Sequence, residues 1–145
     1  MADHVVYTDS KADELSKIVS GTKTMILRGA AGRKLPYGRV DPGDILYFVE
    51  NDGSGFVQGR AIVKNVLNSE KLTPEESTAM VEERQRFLQF TEKQFKRWAG
   101  KRYLVLIEIE GSEPVEPFSV DKSEYGNMDD WLPVEDIQTV IVRKR

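Results

Sequence analysis

The sequence contains no cysteine and only one histidine, which limits the chemistry that the chain can perform. Without cysteine there is no disulfide, no thiolate metal site and no cysteine nucleophile. The single histidine, His4, lies close to the N-terminus, which argues against a histidine-based catalytic triad or a zinc site. We therefore expect neither a metal nor a cofactor.

Long apolar segments are also missing. No hydrophobic run approaches the roughly 20 residues that span a bilayer. The first residues, MADHVVYTD, have neither the basic start nor the apolar segment of a signal peptide. A length of 145 residues suits a single domain, residues 1–145, with its own hydrophobic core. We expect a cytoplasmic protein that does not enter a membrane.

Acidic side chains are absent between Glu14 and Asp41, although the chain as a whole has a net charge of −3. A loop with three glycines and a proline occupies the second half of this interval. A cationic, glycine-rich loop is typical of a site for an anion or a nucleic-acid backbone. By contrast, ten acids and one lysine occupy the interval from Glu108 to Asp136, which could form an acidic face for a protein partner. The cations of the first interval are Lys17, Lys23, Arg28, Arg33, Lys34 and Arg39.

Turn and cap signals divide the chain into elements in the order β-α-β-β-β-α-α-β-β-β. Ser10 predicts the start of the first helix and Gly21 its left-handed end. Capping boxes at Thr73 and Thr91 predict the other two helices. Gly59, inside a strand, predicts a bulge or a close backbone approach. The predicted strands are 4–7, 23–28, 45–49, 56–67, 103–109, 114–120 and 137–142.

Most of these strands are short, and hairpin-sized connections join neighbouring ones. The turn Asp41–Asp44, with the sequence DPGD, is one such connection. A doubly wound parallel sheet would need helical crossovers between most strands, and the chain has too few. We therefore predict the α+β class: a small, mixed, partly closed β-barrel with two to three flanking helices.

Residues 21–28 read GTKTMILR, which resembles the signature G-x-K-x-x-E-x-R of the ASCH domains, members of the PUA-like group of small β-barrels. As in that family, the signature follows a first helix, and a P-G-D turn at 42–44 opens the next strand. The resemblance implies a PUA-like barrel that engages RNA or a nucleotide. Ile26 holds the position of the signature's glutamate.

A bacterial branch of ASCH proteins deacylates a modified cytidine with a lysine, a threonine and a helix-borne glutamate. The chain resembles this branch in Gly21-x-Lys23-Thr24. The resemblance implies Lys23 as the catalytic cation or amine and Glu82 or Glu83 as the acid/base. The catalytic threonine aligns with Ile26, whose side chain can be neither a nucleophile nor a proton shuttle.

A ligand would be held by cations, flat rings and polar loop residues. Arg33, Lys34 and Arg39 could follow a phosphate backbone. Tyr37 and Trp131 could stack on an unstacked base, whereas we expect Trp98 in the core. The full set of candidate binding residues is Lys23, Thr24, Arg28, Arg33, Lys34, Tyr37, Arg39, Asn127, Asp129 and Trp131.

Three functions remain open at this point. The first is an RNA- or nucleotide-binding module that uses the cationic loop and an adjoining pocket. The second is a hydrolase acting on a modified nucleoside, so whether the chain is an enzyme is undecided. The third is a protein-interaction domain that uses the acidic face.

Overall fold

The computed structural model describes residues 2–53, 55–121 and 130–142. Within these ranges the chain forms seven strands, four α-helices and one 3-10 turn at Ile137–Thr139. The strands are β1 (Asp3–Thr8), β2 (Met25–Ala30), β3 (Ile45–Glu50), β4 (Phe56–Asn68), β5 (Tyr103–Val120), β6 (Trp131–Glu135) and β7 (Ile141–Val142). The helices are α1 (Glu14–Val19), α2 (Pro74–Glu83), α3 (Gln85–Leu88) and α4 (Glu92–Trp98).

The strands form one mixed sheet that curls into a half-barrel. Its order is β2-β5-β4-β3-β1-β6, and β7 pairs with the end of β5. β1 and β3 run parallel, and the other neighbours are antiparallel. The predicted α+β class with a mixed, partly closed sheet is confirmed. The additional helix among the described residues is the single turn α3.

Several structural features that local sequence signals predict are confirmed. Gly21 follows α1 with a φ of 82°, as a left-handed helix end requires. Both capping boxes form, at Thr73 and at Thr91. At Gly59 a Cβ atom would lie 3.1 Å from Leu15 Cδ1, so the glycine lets α1 approach β4, and the strand pairing shifts register at the same place.

Several elements differ from the predictions: β2 begins at Met25 and not at residue 23, β6 was not predicted, and three further differences have a local cause. Helix α1 begins at Glu14 rather than after Ser10, because Asp13 adopts the left-handed region with φ 56°. The predicted strands 103–109 and 114–120 are one strand, β5, in which Gly111 has a φ of 62°. The first half of the predicted strand 137–142 is a 3-10 turn, since the Asp136 side chain accepts a hydrogen bond from the Gln138 N–H, and only Ile141–Val142 form a strand.

The parallel pairing of β1 with β3 positions the site. Thr8 lies opposite Glu50 at the carboxyl ends of both strands. The chain continues as Asp9–Ser10 on one side and Asn51 on the other, and the Ser10 N–H donates to Asn51 Oδ1 at 2.9 Å. Polar residues that follow two neighbouring strands are thus held together at one edge of the sheet, beside α4.

Candidate functional site

Three adjoining cavities lie along one side of the molecule, between α4, the loop after β2 and the ends of β1 and β3. Their volumes are about 260, 330 and 500 Å³. We call them the central cavity, the loop cavity and the lysine cavity. Arg97 of α4 lines all three, so they form one continuous groove.

Different residues characterise each cavity. The central cavity is lined by Tyr7, Thr8, Asp9, Glu14, Arg28, Asn51, Gln94, Arg97, Trp98 and Asp130. The loop cavity contains Arg28, the segment 29–32, Lys34–Tyr37, Arg97, Trp98, Lys101, Tyr103, Val105 and Asp130. The lysine cavity is lined by Asp9, Ser10, Lys11, Asn51, Lys93, Gln94 and Arg97.

Arg28 forms the floor between the central and loop cavities. It is 6% exposed, and its guanidinium donates to the carbonyls of Tyr7 at 2.9 Å and Leu27 at 3.0 Å. Its Nε lies 3.1 Å from Asp130 Oδ2. Because backbone groups and a carboxylate both hold it, this cation has a fixed position.

Trp98 and Arg97 form the wall that the central and loop cavities share. The Arg97 guanidinium lies 4.4 Å from the centre of the Trp98 ring, and the Arg28 guanidinium lies 5.5 Å from it. Arg97 is more than half exposed, and its Nη2 is 3.9 Å from Asp130 Oδ2. Trp98 is 8% exposed and packs in the helical core cluster, as expected, yet it also lines the groove.

The loop cavity contains part of the cationic, glycine-rich segment. A Cβ atom at Gly29 would lie 2.9 Å from Leu104 Cδ2 and 3.0 Å from Lys101 Cβ, so only glycine lets these groups approach. The Tyr37 hydroxyl donates a hydrogen bond to the Ser69 carbonyl. The Arg33 guanidinium lies 5.7 Å from the centres of both the Tyr37 and the Tyr103 rings.

The loop cations therefore divide into two groups. Lys34 is exposed and lines the loop cavity, together with Lys101, which is not among the predicted binding residues. Arg33 is exposed beside its two tyrosines, and Arg39 is exposed further along the loop; neither lines the groove.

Lys23 is buried beneath the groove. The residue is 1% exposed, and its Nζ donates a hydrogen bond to the Leu88 carbonyl at 2.5 Å. The same atom lies 3.5 Å from Glu14 Oε2 and 4.7 Å from the centre of the Phe90 ring. Burial lowers its pKa from 10.5 to about 8; Glu14 acts against this shift, and the charge of Arg28 acts with it. Lys23 lines none of the three cavities.

Glu14 connects this buried lysine to the central cavity. It is 4% exposed, its Oε1 accepts from the Asp9 N–H at 3.0 Å, and its Oε2 faces both Lys23 and the Gln94 amide, the latter at 3.4 Å. Glu14 is not among the site residues predicted from the sequence. Its signal is its position four residues before Ile18, on the apolar stripe of α1, where a carboxylate needs a buried partner.

The acids expected beside Lys23 lie elsewhere. Glu82 and Glu83 are exposed on α2, and Glu83 forms an ion pair with Arg84 at 3.5 Å. Thr24 is half-buried outside the three cavities, and its N–H donates to the Phe87 carbonyl. The described residues therefore bring neither acid to Lys23, whose carboxylate partner is Glu14.

Trp131 belongs to the core and not to the groove. It has no exposed surface, and its Nε1–H donates to His4 Nδ1 at 3.0 Å. Because this His4 nitrogen is an acceptor, the proton is on Nε2, which donates to Asp44 Oδ2 at 2.9 Å. Trp131 thus has no free face for a base. Asn127 and Asp129 lie outside the described residues.

Charge is distributed unevenly along the groove. In the described part of the chain, three carboxylates and two guanidiniums line the central cavity, so a neutral group fits it better than an anion does. Four cations and one carboxylate line the loop cavity, and three cations and one carboxylate line the lysine cavity. Both ends of the groove therefore attract anions.

Neither a metal centre nor a membrane segment is visible within the described ranges. No group of three potential protein ligands there is arranged to hold a metal ion. None of the helices in those ranges combines the length and hydropathy needed to cross a bilayer.

The curled mixed sheet, the placement of α1 before β2 and the loop after β2 define an ASCH-like fold. An ASCH protein from Zymomonas mobilis has a similar structure, with a TM-score of 0.69 and 16% sequence identity over 95% of this chain and 91% of that one. A serine-to-alanine mutant of the same protein gives the same TM-score. The fold implied by residues 21–28 and 42–44 is thus confirmed.

A more distant similarity connects the fold to a protein solved with DNA. The N-terminal domain of Thermococcus gammatolerans McrB, bound to m5C DNA, aligns with a TM-score of 0.51 and 10% identity over 92% of this chain and 90% of that one. No protein-family model and no curated protein sequence matches the chain.

Proposed function

We propose that the chain is a nucleic-acid-binding module that accepts one unstacked base in the central cavity and the adjoining phosphate in the loop cavity. One observation carries the proposal. A nearly charge-balanced cavity of about 260 Å³ opens directly into a cationic one, and Arg97 and Trp98 line both. A nucleotide has the same arrangement, with a neutral ring next to an anionic group.

The size and the walls of the central cavity agree with a base. Small-molecule pockets usually measure roughly 300–1,000 Å³, so the cavity suits one ring system and not a large ligand. Asn51 and Gln94 carry amide groups that could read a base edge, while the Trp98 ring and the Arg97 guanidinium offer flat surfaces. The McrB domain, which has been solved with m5C DNA, supports the same class of ligand.

The test uses a fluorescein-labelled RNA octamer of mixed sequence, followed by fluorescence anisotropy at several salt concentrations. Each lost phosphate contact on a single strand reduces the slope of log K against log salt by about 0.7. The variant Lys34→Ala/Lys101→Ala should therefore lower the slope by about 1.4, which corresponds to about 25-fold weaker binding at about 0.1 M salt.

The matched control is Lys71→Ala/Lys96→Ala, which removes the same charge from exposed residues outside the groove. It should change the affinity less than threefold. If the wild-type protein does not bind the octamer, or if both double variants weaken binding equally, the proposal is wrong.

A further inference from the structure

We infer that the lysine cavity is a second backbone subsite, so that the ligand is a continuous single strand with a phosphate on each side of the inserted base. This inference rests on the proposed function and makes it narrower. A mononucleotide would occupy the central and loop cavities only. The lysine cavity adjoins the central cavity: it shares Asp9, Asn51, Gln94 and Arg97 with that cavity, but only Arg97 with the loop cavity.

Two of the three cations on helix α4 line the lysine cavity, and the third does not. Lys93 and Arg97 are four residues apart, so they lie on one face of the helix, about 6 Å apart along its axis. Both line the lysine cavity. Lys96, by contrast, forms an ion pair with Glu92 at 3.3 Å and lines none of the three cavities. The helix therefore presents a row of positive charge along the groove.

A fixed turn also contributes to the wall of the lysine cavity. The N–H groups of Lys11 and Ala12 donate to Asp9 Oδ1 at 3.0 and 3.2 Å, and the Ser10 N–H donates to Asn51 Oδ1. The Lys11 side chain is exposed and, like Lys93, lines the lysine cavity. The backbone here is thus held in place while the ammonium group remains able to meet an anion.

The charge pattern distinguishes a strand from other anionic ligands. Along the groove, a cationic region is followed by a nearly balanced cavity and then by a second cationic region. A strand passing through with one base turned inward places a phosphate in each cationic region and a neutral ring between them. A ligand with only one anionic group would leave one of the two regions unused.

The test compares three ligands by anisotropy and competition: the labelled RNA octamer, mixed nucleoside monophosphates (5′ and 3′ separately), and mixed nucleoside 3′,5′-bisphosphates. For the wild-type protein, we expect the bisphosphates to compete more than 10-fold better than either monophosphate. The variant Lys11→Ala/Lys93→Ala should bind the octamer about 25-fold more weakly at about 0.1 M salt, from two lost contacts. It should bind the better monophosphate within twofold of wild type.

Each other outcome is informative. If Lys11→Ala/Lys93→Ala binds the octamer normally while Lys34→Ala/Lys101→Ala does not, the second subsite is wrong and the proposed function stands. If Lys11→Ala/Lys93→Ala weakens octamer and monophosphate equally, the lysines act on the base site, and the inference fails. If the wild-type protein binds none of the three ligands, both proposals fail. The control Lys71→Ala/Lys96→Ala should behave as wild type throughout.

Discussion

Replacing Lys23 by methionine tests whether this lysine is a structural cation paired with Glu14. The two side chains are 1% and 5% exposed, and their charged atoms are 3.5 Å apart. At an effective dielectric constant of about 20, their attraction is about 5 kcal/mol, which offsets part of the cost of burying them. Removing one partner of such a pair typically costs about 3–5 kcal/mol, because the other charge remains buried.

We expect Lys23→Met to lower the free energy of unfolding at neutral pH, but by less than about 3–5 kcal/mol, because burial already disfavours the ammonium group and lowers its pKa to about 8. The double variant Glu14→Gln/Lys23→Met should be more stable than Lys23→Met, since no buried charge is left without its partner. Lys17→Met is the matched control: Lys17 is a half-buried neighbour that donates to the Gln89 carbonyl at 3.3 Å. It should cost less than about 1.5 kcal/mol, the range of one hydrogen bond.

The dependence of stability on pH gives a second measurement. Because burial lowers the Lys23 pKa to about 8 from 10.5, the unfolded chain holds this proton more tightly than the folded chain does. Between these two pH values the contribution of Lys23 to the free energy of unfolding rises with pH, by at most about 3 kcal/mol. Below pH 8 its full destabilising effect is present.

Urea titrations of wild type and Lys23→Met at several pH values from neutral to 10 would measure this rise as the difference between the two proteins. Taking the difference removes the contributions of other groups that titrate in the same pH range. One such group is Tyr47, whose burial raises its pKa. A loss below 1 kcal/mol for Lys23→Met, together with a difference that does not change with pH, would refute the reasoning. It would place Lys23 in a solvated position, where a direct role towards a ligand becomes possible.

Two further predictions concern glycine and aspartate positions. Gly29→Ala should destabilise the fold by about 1–3 kcal/mol through overpacking. It should also weaken octamer binding, because the added methyl group displaces the wall of the loop cavity. Gly32→Ala should do neither, since a Cβ atom there has no neighbour within 4 Å. Equal unfolding midpoints for the two alanine variants would contradict this. Burial raises the pKa of Asp44, but N–H donors from Ala2, Asp41 and His4 outweigh it and lower the pKa below 3.8. The stability that the Asp44 carboxylate contributes is present above pH 3.8 and is lost as the pH falls through its lowered pKa. Asp44→Asn should therefore cost about 1–3 kcal/mol at neutral pH and make the dependence of stability on acidic pH flatter. An unchanged pH dependence would contradict this role of Asp44.

The sequence predicts those parts of the fold that depend on local chemistry. A capping box needs only residues three positions apart, and both of them form. The DPGD turn likewise forms, with Gly43 at a φ of 92° and a hydrogen bond from the Asp44 N–H to the Asp41 carbonyl. Strand β5 was predicted in two parts because Gly111 and Pro114 usually interrupt a strand. Pairing with β4, through three register shifts, holds the whole segment in one strand instead.

The candidate site was predicted only where charge and glycine content mark it. Arg28 and the loop segments 29–32 and 34–37 do line the groove, whereas Arg33 does not. Trp98 was expected only in the core, and its role as a groove wall depends on how α4 docks against β2. Trp131 was expected to stack on a base, yet its indole is buried by pairing of β6 with β1. In both cases tertiary contacts determine where the tryptophan side chain lies, and no local sequence pattern predicts those contacts.

The two cations of the ASCH-like signature are both buried here, and each faces a carboxylate from another part of the chain. Ile26, at the signature's acidic position, packs in the core, so it supplies none. Glu14 of α1 faces Lys23, and Asp130, just before β6, faces Arg28. These pairs hold the walls of the central cavity in place without presenting Lys23 to a ligand. Variants of Lys23 should therefore lose stability and binding together, whereas variants of Lys34, Lys101, Lys11 and Lys93 should lose binding alone.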